Sequence, residues 1–279
     1  MQVFKIYIYI SILFIIPFNC AAYERILPMA PNLVEVVYEL GLGDKICGIP
    51  DFTSYPPEVL LKPHAGSYLY PSYETILRLD PDIIIIQGEF LSLSGFAEKN
   101  HIGVLNVNMD SLASIYSGII HIGKKLHVEQ RSFSLVADIK GKLMGLVSKN
   151  SKPVNVFICI GRIPGSLKQI STPGSRSFIS ELLKFAGGRN IFEDIDKNYI
   201  TVSKEEIIKR NPDIIFDLVS SHDKELSARL IWEKMRYINA VKNGHIFFPK
   251  EKFLLIPGPR IVDTAEVFKK YIARASEAE

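Results

Sequence analysis

The sequence predicts an α/β protein made of two Rossmann-like α/β lobes that a single long α-helix joins. The first observation is a phrase that occurs twice, at residues 74–86 and 205–217, and that each time predicts a short helix followed by a buried strand. The second is the stretch between the two copies, which lacks proline and carries apolar residues at helical spacing. With 279 residues, the chain also has the length of two ordinary domains.

Composition excludes several classes of protein. Hydrophobic residues make up 47% of the chain, which is too many for a disordered protein. The 33 basic and 30 acidic residues nearly balance, so no basic tail for nucleic acid is expected. Binding of any partner or ligand should therefore depend on a few well-placed groups and not on the net charge of the protein.

The first 22 residues predict a signal peptide that directs export. Lys5 precedes an apolar run at residues 6–18, and the small residues Ala21 and Ala22 favour cleavage after Ala22. The run is shorter than the ~20 residues that a membrane-spanning helix needs. An uncleaved membrane anchor stays open as an alternative. A lipid anchor at Cys20 is a further one, although residues 17–19 depart from the lipoprotein pattern.

Cleavage after Ala22 would leave two cysteines, Cys47 and Cys159. Both lie in apolar, strand-like surroundings, which predicts buried and unreactive thiols. A disulfide between them stays possible in an oxidising compartment, but two cysteines do not make a disulfide framework.

The repeated phrase begins at Glu74 and at Glu205, an offset of 131 residues (205 minus 74) that holds throughout. In each copy a Pro-Asp pair ends the short helix, because proline cannot continue it. The isoleucine run at Ile83–Ile86 suits a strand that is covered on both faces, as in a parallel sheet. A second similarity between the two halves is a pair of closely spaced glycines, at positions 41 and 43 and at positions 187 and 188. In each half the glycines predict the end of a helix before a strand.

The stretch between the copies predicts two helices, at residues 111–126 and 128–149, of which the second is the long connecting helix. Pro153 then starts a new strand at Asn155–Ile160. Further helices are predicted at Phe178–Phe185 and Ile261–Arg274. We therefore divide the chain into a signal peptide, two lobes and a linker, with the bounds 1–22, 23–109 for the first lobe, 110–150 for the linker and 151–279 for the second lobe.

A series of motifs covers essentially the whole chain after residue 22. The motifs are Ala30–Gly43, Asp51–Pro57, Gly66–Tyr68, the two repeated phrases, Ala186–Phe192, Trp232 with Ala240–Gly244, and Pro257–Arg260. Their order resembles that of the substrate-binding proteins of bacterial ABC importers, in the group that carries cobalamin, haem and iron-siderophore complexes. The resemblance implies the class III periplasmic binding protein fold.

The resemblance also implies a function. Such a protein captures cobalamin or an iron chelate between its lobes in the periplasm, as a monomer, and delivers it to a permease dimer with ATPase subunits. A haem- or ferric-siderophore-binding protein of the same fold is the first alternative. A metallocluster enzyme is less favoured, because it needs cluster-ligating cysteines that two strand-like cysteines do not provide.

In this family a glutamate on top of each lobe docks to arginine pockets of the permease, and the matching positions here are Glu74 and Glu205. Charged pairs at a rim mainly set the register and the rate of encounter. The alternative is that each glutamate only stabilises the start of its helix, where acidic residues are favoured.

Aromatic side chains from both lobes enclose a flat ligand in the cobalamin-binding branch, and the matching positions are Phe52, Tyr68 and Tyr199. Core packing is the alternative for each of them. Gln87 is a departure, because the cobalamin binder carries a tryptophan there. This departure leaves room for a more polar chelate.

Further candidates for ligand contact are Asn32, Arg162, Ser175, Lys252 and Phe253. Asn32 and Ser175 equally suit helix caps. Arg162 and Arg260 have two possible roles each, as a partner of an anionic ligand group or as half of a structural ion pair. For Arg260 we favour an ion pair that holds the last helix.

Catalytic and metal-binding patterns are not found in the sequence. The six histidines are scattered, and no Walker, GxGxxG or Ser-His-Asp arrangement occurs. We therefore predict no catalytic residue, no resident metal and no cofactor. If haem is the ligand, Tyr68 or Tyr55 would be able to coordinate its iron.

Overall fold

The structure is a computed structural model that describes residues 23–147, 152–218 and 225–277. The predicted signal peptide and the possible lipid anchor at Cys20 lie outside the described residues. Within the described ranges, no helix is both long and apolar enough to cross a membrane.

The first lobe contains a sheet of three parallel strands in the order β1-β2-β3. The strands are β1 (Ile26–Pro28), β2 (Ile83–Gln87) and β3 (Gly103–Val107), and the helices are α1 (Pro31–Val37), α2 (Tyr73–Leu79) and α3 (Leu91–Lys99). Ile83–Ile86 is fully buried, as predicted for a strand that is covered on both faces.

Two helices follow the first lobe, α4 (Leu112–Lys125) and α5 (Glu129–Leu146). Ser111 and Ser114 form a capping box that starts α4. The 18 residues of α5 span about 27 Å. The predicted second helix extended to residue 149, whereas α5 ends at Leu146, and residues 148–151 are not described.

The second lobe contains a parallel sheet in the order β6-β4-β8-β9 and a separate antiparallel pair, β5 with β7. Its strands are β4 (Val154–Cys159), β5 (Ile170–Pro173), β6 (Gly188–Asn190), β7 (Tyr199–Val202), β8 (Ile214–Asp217) and β9 (Ile246–Phe247). Its helices are α6 (Phe178–Phe185), α7 (Lys204–Arg210), α8 (Glu225–Trp232), α9 (Asn239–Lys242) and α10 (Ile261–Ser276). The bounds of α6 match the prediction at both ends.

Helix α5 connects the two lobes through packing as well as through the chain. It packs against α4, against the turn at Tyr38–Leu42 of the first lobe, and against α6 and α10 of the second. Arg131 on α5 also donates a hydrogen bond to the carbonyl of Leu40 at 3.0 Å. The predicted fold class, two α/β lobes with a connecting helix, is confirmed.

The hydrophobic core is continuous across both lobes. One cluster joins Leu33 and Ile83 of the first lobe, Ile139 of α5, and Phe178 and Phe268 of the second lobe, all of them buried. Because a close-packed core resists shear, the two lobes are coupled through α5 and its neighbours. We expect only a modest closure of the space between them.

The repeated phrase forms the same structure in each lobe. Ser72 and Ser203 cap α2 and α7, and each hydroxyl accepts a backbone N–H of the first turn. Both helices end on a left-handed residue, Asp80 with φ 43° and Asn211 with φ 44°. The offset of 131 residues therefore extends to both helix caps.

The aspartate of each Pro-Asp pair joins its strand to the neighbouring strand. The N–H of Asp82 donates to Arg25 O at 2.8 Å, and its carboxylate accepts the N–H of Arg25 at 2.8 Å. The N–H of Asp213 donates to Asn155 O at 2.8 Å, and its carboxylate accepts the N–H of Asn155 at 3.3 Å. The paired aspartates thus align the start of each central strand.

Replacing Asp213 by alanine is expected to lower the free energy of unfolding by about 1–3 kcal/mol, because hydrogen bonds to Asn155 and Asn239 are lost. Urea unfolding followed by circular dichroism measures this change. Asp138→Ala is the control, because Asp138 is exposed on α5 and pairs only with Lys142 in the same helix. The control should change stability by under ~0.5 kcal/mol. Equal effects of the two substitutions would contradict the proposed alignment.

Candidate functional site

A pocket of about 480 Å³ lies where the first lobe meets a segment of the second lobe. We call it the interlobe pocket. Its lining consists of Ala30, Pro31, Asn32, Tyr68, Gln87, Gly88, Asn108, Asp110, Leu255, Ile256 and Pro257. Several of these residues follow the carboxyl ends of β1, β2 and β3. Ligands of parallel α/β sheets bind at that edge, because the loops converge there.

Three of the predicted residues meet in this pocket through hydrogen bonds. The side-chain amide of Asn32 donates to Gln87 Oε1 at 2.5 Å and to the carbonyl of Pro257 at 3.1 Å. The hydroxyl of Tyr68 donates to the carbonyl of Gln87 at 2.9 Å. The ring of Tyr68 lies 5.3 Å from that of Phe90. The network ties the first lobe to the segment that contains Pro257.

Arg260 forms a buried ion pair with Glu35 beside this network. Its Nε and Nη2 atoms donate to the two carboxylate oxygens of Glu35, at 3.0 and 2.5 Å. Its guanidinium lies 4.2 Å from the ring of Tyr55 and 5.1 Å from that of Phe253. Burial raises the pKa of Glu35, and the hydrogen bond and charge of Arg260 oppose that rise. Arg260 precedes α10, so the favoured structural role agrees with this geometry.

Arg162 lies inside the second lobe and not in the interlobe pocket. Its side chain is fully buried, and its Nε donates to Asp217 at 3.2 Å. The same carboxylate oxygen accepts the indole N–H of Trp232 at 2.7 Å. Of the two roles considered for Arg162, the geometry agrees with the structural ion pair. Ligand contact stays a prediction for Arg162, which is not among the described residues that line the interlobe pocket.

The other predicted ligand contacts lie outside the interlobe pocket. Phe52 is 86% exposed in a loop, and Lys252 is exposed. The hydroxyl of Ser175 donates to the carbonyl of Ile195 at 3.0 Å, which fixes its own loop. Phe253 packs on Arg260. Their contact with a ligand stays a prediction, for a ligand that extends beyond this pocket.

Tyr199 lies at the start of β7 and is 42% exposed. Loss of water around the phenol raises its pKa, the negative charge of Asp110 raises it further, and a hydrogen bond with Ser177 opposes both. Tyr199 therefore lies within electrostatic reach of a residue that lines the interlobe pocket.

The sequence interpretation missed Asn108, Asp110 and the segment at residues 255–257. The signal for Asn108 and Asp110 was available, because both follow the strand that residues 103–107 form. Carboxyl ends of parallel strands meet at one edge, so polar residues just after each strand are candidates for a pocket. The segment at 255–257 meets the motif at Pro257–Arg260, but its approach to the first lobe depends on tertiary packing.

Glu74 and Glu205 occupy the same position in equivalent helices, one residue after the first helical residue. Their side chains are 90% and 68% exposed. Ser72 and Ser203 supply the cap hydrogen bonds, so neither carboxylate is needed as a cap. Leu77 and Ile208, three residues further along each helix, are also exposed. Each lobe thus presents a carboxylate beside an apolar side chain.

A larger depression of about 960 Å³ lies beside Glu205. Its lining comes entirely from the second lobe, between the loop at residues 165–169, the start of α7 and the chain after α8. We favour the smaller interlobe pocket as the ligand site, because it combines both lobes and the carboxyl ends of three strands.

Neither cysteine of the described chain is in a disulfide. Burial raises the pKa of the Cys47 thiol to about 11 and raises that of Cys159 as well. Both groups are therefore protonated thiols at neutral pH and poor nucleophiles. Among the residues that the structure describes, no group of three or more His, Cys, Asp or Glu could hold a metal ion.

Two parallel-sheet lobes, a connecting helix and a pocket between the lobes define a two-lobed ligand-binding protein. The chain belongs to the periplasmic binding protein family, whose sequence model matches residues 29–252. The resemblance that the sequence motifs carried is confirmed. Proteins of this kind bind small molecules and work with the permease and ATPase components of ABC transporters.

Three known proteins are similar to this chain along most of its length. It is 27% identical to a vitamin B12-binding protein of Vibrio cholerae, over 91% of each chain. It is 28% identical to an uncharacterised ABC transporter substrate-binding lipoprotein of Bacillus subtilis, over 87% of this chain and 78% of that protein. A possible iron-binding periplasmic protein of Staphylococcus epidermidis is 28% identical, with a TM-score of 0.76, over 90% of this chain and 99% of the other.

Proposed function

We propose that this protein captures cobalamin or an iron chelate in the interlobe pocket and delivers it to the permease of an ABC importer. The observation that carries the proposal is the pocket itself, where Asn32 joins Gln87 to the carbonyl of Pro257. It combines polar anchors with the aromatic ring of Tyr68, a combination that fits a large chelate with polar edges. The named relatives, one for vitamin B12 and one for iron, support this class of ligand.

Capture is non-covalent in this proposal, and the protein converts no substrate. Tyr68 supplies a flat apolar surface with few rotamers to freeze, and the amides of Asn32 and Gln87 supply directional hydrogen bonds. The continuous core across both lobes supports modest closure on the ligand. Phe52 and Tyr199, at loops of opposite lobes, remain proposed contacts for a ligand that extends beyond the pocket.

Delivery would use Glu74 and Glu205 as paired docking points for a permease dimer. Their equivalent places in the two lobes suit a partner with two similar subunits. We propose that the exported protein acts as a monomer in the periplasm, after removal of residues 1–22. The division into 23–109, 110–150 and 151–279 is supported by the membership of the two sheets.

A haem- or ferric-siderophore-binding protein is the second candidate of the same class. Tyr55 and Tyr68 are the proposed iron ligands for haem. Tyr68 donates its hydroxyl to the carbonyl of Gln87 and Tyr55 lies under Arg260. Tyr68 would have to give up its hydrogen bond to coordinate iron, so for this residue the geometry favours cobalamin or a preformed iron chelate.

Absorbance and fluorescence titration of the purified protein with cyanocobalamin, haemin and a ferric hydroxamate tests the proposal. We expect saturable binding of at least one chelate. Tyr68→Ala should weaken that binding about tenfold or more, because a buried aromatic contact is lost. Tyr237→Ala is the control, since Tyr237 is 80% exposed and lies outside the interlobe pocket. A protein that binds none of the three chelates would refute the proposed function.

A further inference from the structure

The interlobe pocket has an unusual distribution of charge for a site that would hold a metal chelate. Among the residues that the structure describes, Asp110 is the only charged one in its lining, and the other polar side chains there are the amides Asn32, Gln87 and Asn108 and the phenol Tyr68. A ligand that carries ionised carboxylates normally finds arginine or lysine in its site, because those side chains offer charge-assisted hydrogen bonds. The described part of the lining contains neither arginine nor lysine.

Asp110 is held in place from both sides of the boundary between the lobes. Its carbonyl accepts the N–H of Phe178, at the start of α6, at 2.8 Å. Its carboxylate accepts the side-chain amide of Asn198 at 3.3 Å, and its N–H donates to Asn108 Oδ1 at 3.2 Å. The backbone and carboxylate of Asp110 are therefore fixed before any ligand arrives, which is the condition for selective recognition.

Three arginines considered as partners for an anionic ligand or close to the loops of the second lobe are paired with carboxylates. Arg260 is paired with Glu35, and its guanidinium lies over the rings of Tyr55 and Phe253. Arg162 is buried on Asp217, and Arg176 is paired with Asp196. Their positive charges are thus compensated where they stand, and none of them lines the pocket beside Asp110.

We infer that Asp110 is a specificity-determining residue, which admits chelates with uncharged amide or hydroxyl edges and disfavours chelates with ionised carboxylates. The inference rests on the proposed function and names the class of ligand for the same pocket. A carboxylate accepts hydrogen bonds from ligand amides or hydroxyls, but it repels a ligand carboxylate at short range in a partly dehydrated site. The three lining amides offer both donors and acceptors to the same uncharged edges.

Matched probes test the inference, because the main difference within each pair is whether peripheral groups are ionised carboxylates or uncharged amides or esters. One pair is cyanocobalamin and its monocarboxylic acid, in which one peripheral amide has been hydrolysed. The other is haemin dimethyl ester and haemin, measured in the same detergent. We expect the wild-type protein to bind the uncharged member of a pair about tenfold more tightly, an energy that a single like-charge contact supplies in a partly screened pocket.

Asp110→Asn should remove most of that preference, mainly by improving the affinity for the carboxylate-bearing member. Asparagine keeps an acceptor for the amide of Asn198 and leaves the backbone contact with Phe178 available. Glu98→Gln is the matched control, because it removes one exposed carboxylate on α3, outside the pocket. It should retain the full preference, which separates a local effect from a change in net charge.

The outcomes separate the inference from the proposed function. Equal affinity for both members of a pair, a preference for the carboxylate, or an unchanged preference in Asp110→Asn would overturn the inference while leaving the binding function intact. Failure to bind any member of either pair, together with failure to bind a ferric hydroxamate, would overturn the proposed function and the inference with it. The wild-type measurement needs no variant, so equal affinity or a preference for the carboxylate would overturn the inference even if Asp110→Asn folds poorly.

Discussion

Charge reversal at both Glu74 and Glu205 is expected to abolish transport while the affinity for ligand stays unchanged. Both side chains are exposed and occupy equivalent places in α2 and α7, away from the lining of the interlobe pocket. In the proposed docking, lysine at these positions would place like charges against arginine pockets of the permease, and like-charge contacts suppress docking. Growth on the transported ligand, or uptake by reconstituted transporter, measures transport, and titration of the purified protein measures affinity.

The neutral pair Glu74→Gln and Glu205→Gln shows whether loss of charge is sufficient or whether repulsion is needed. Each single reversal should impair transport partly, because one of the two docking points remains. Glu266→Lys on α10 is the control for a reversed surface charge, since Glu266 is exposed and far along the chain from both phrases. A fall in ligand affinity in the Glu74 and Glu205 variants would show that these residues serve the ligand site and not the permease.

Arg260→Ala is expected to lower the free energy of unfolding by about 3–5 kcal/mol, the largest effect on stability that we predict. Glu35 is 1% exposed, so the substitution leaves a carboxylate buried without its cation. The substitution also removes the guanidinium from its place over the rings of Tyr55 and Phe253. Chemical denaturation followed by tryptophan fluorescence and circular dichroism measures the change.

A second variant separates the unpaired charge from the lost packing. Glu35→Leu combined with Arg260→Met replaces both charges by apolar groups of similar size, and such replacements are often neutral or nearly so. The double variant should therefore lose much less stability than Arg260→Ala. If Arg260→Ala changed stability by under ~0.5 kcal/mol, the ion pair would have no structural role.

The same ion pair also bears on ligand binding. It holds the chain on either side of Gly258 against the first lobe, where a side chain at that glycine would lie 3.4 Å from Cβ of Asn32. Pro257, one residue earlier, accepts the amide of Asn32 in the interlobe pocket. Loss of Arg260 should therefore loosen one wall of the pocket as well as destabilise the fold.

Local patterns allowed most of the fold to be predicted. Helix α6 and strand β2 agree with expectation because capping, proline and apolar runs act within a few residues of the chain. The duplication could be recognised in the sequence because both copies of the phrase encode the same local structure, a capped helix that ends before a buried strand. The aspartates at 82 and 213 explain why the Pro-Asp pair recurs, since each aligns two strands.

The candidate site was predictable only in part. Tyr68 and Gln87 were named from the family resemblance and Asn32 as a helix cap or a ligand contact, and the structure brings the three together. Arg162 was named from its place after a strand, with an ion pair as the alternative, and its side chain is buried against Asp217. An arginine after a strand can point into the cleft or into the lobe, and the choice depends on an acid 55 residues further along the chain.

By itself the sequence determined the class of fold, the place of the duplication and the family, because these follow from local periodicity and from motifs in a given order. Tertiary structure alone decided which polar groups meet between the lobes. Glu35 and Arg260 are 225 residues apart, and the pairing of Asp110 with Asn198 spans 88 residues. Such contacts depend on how the sheets pack around α5, and this packing does not produce a periodic pattern in the sequence. The charge inside the pocket, and with it the proposed choice of ligand, is a property of that packing.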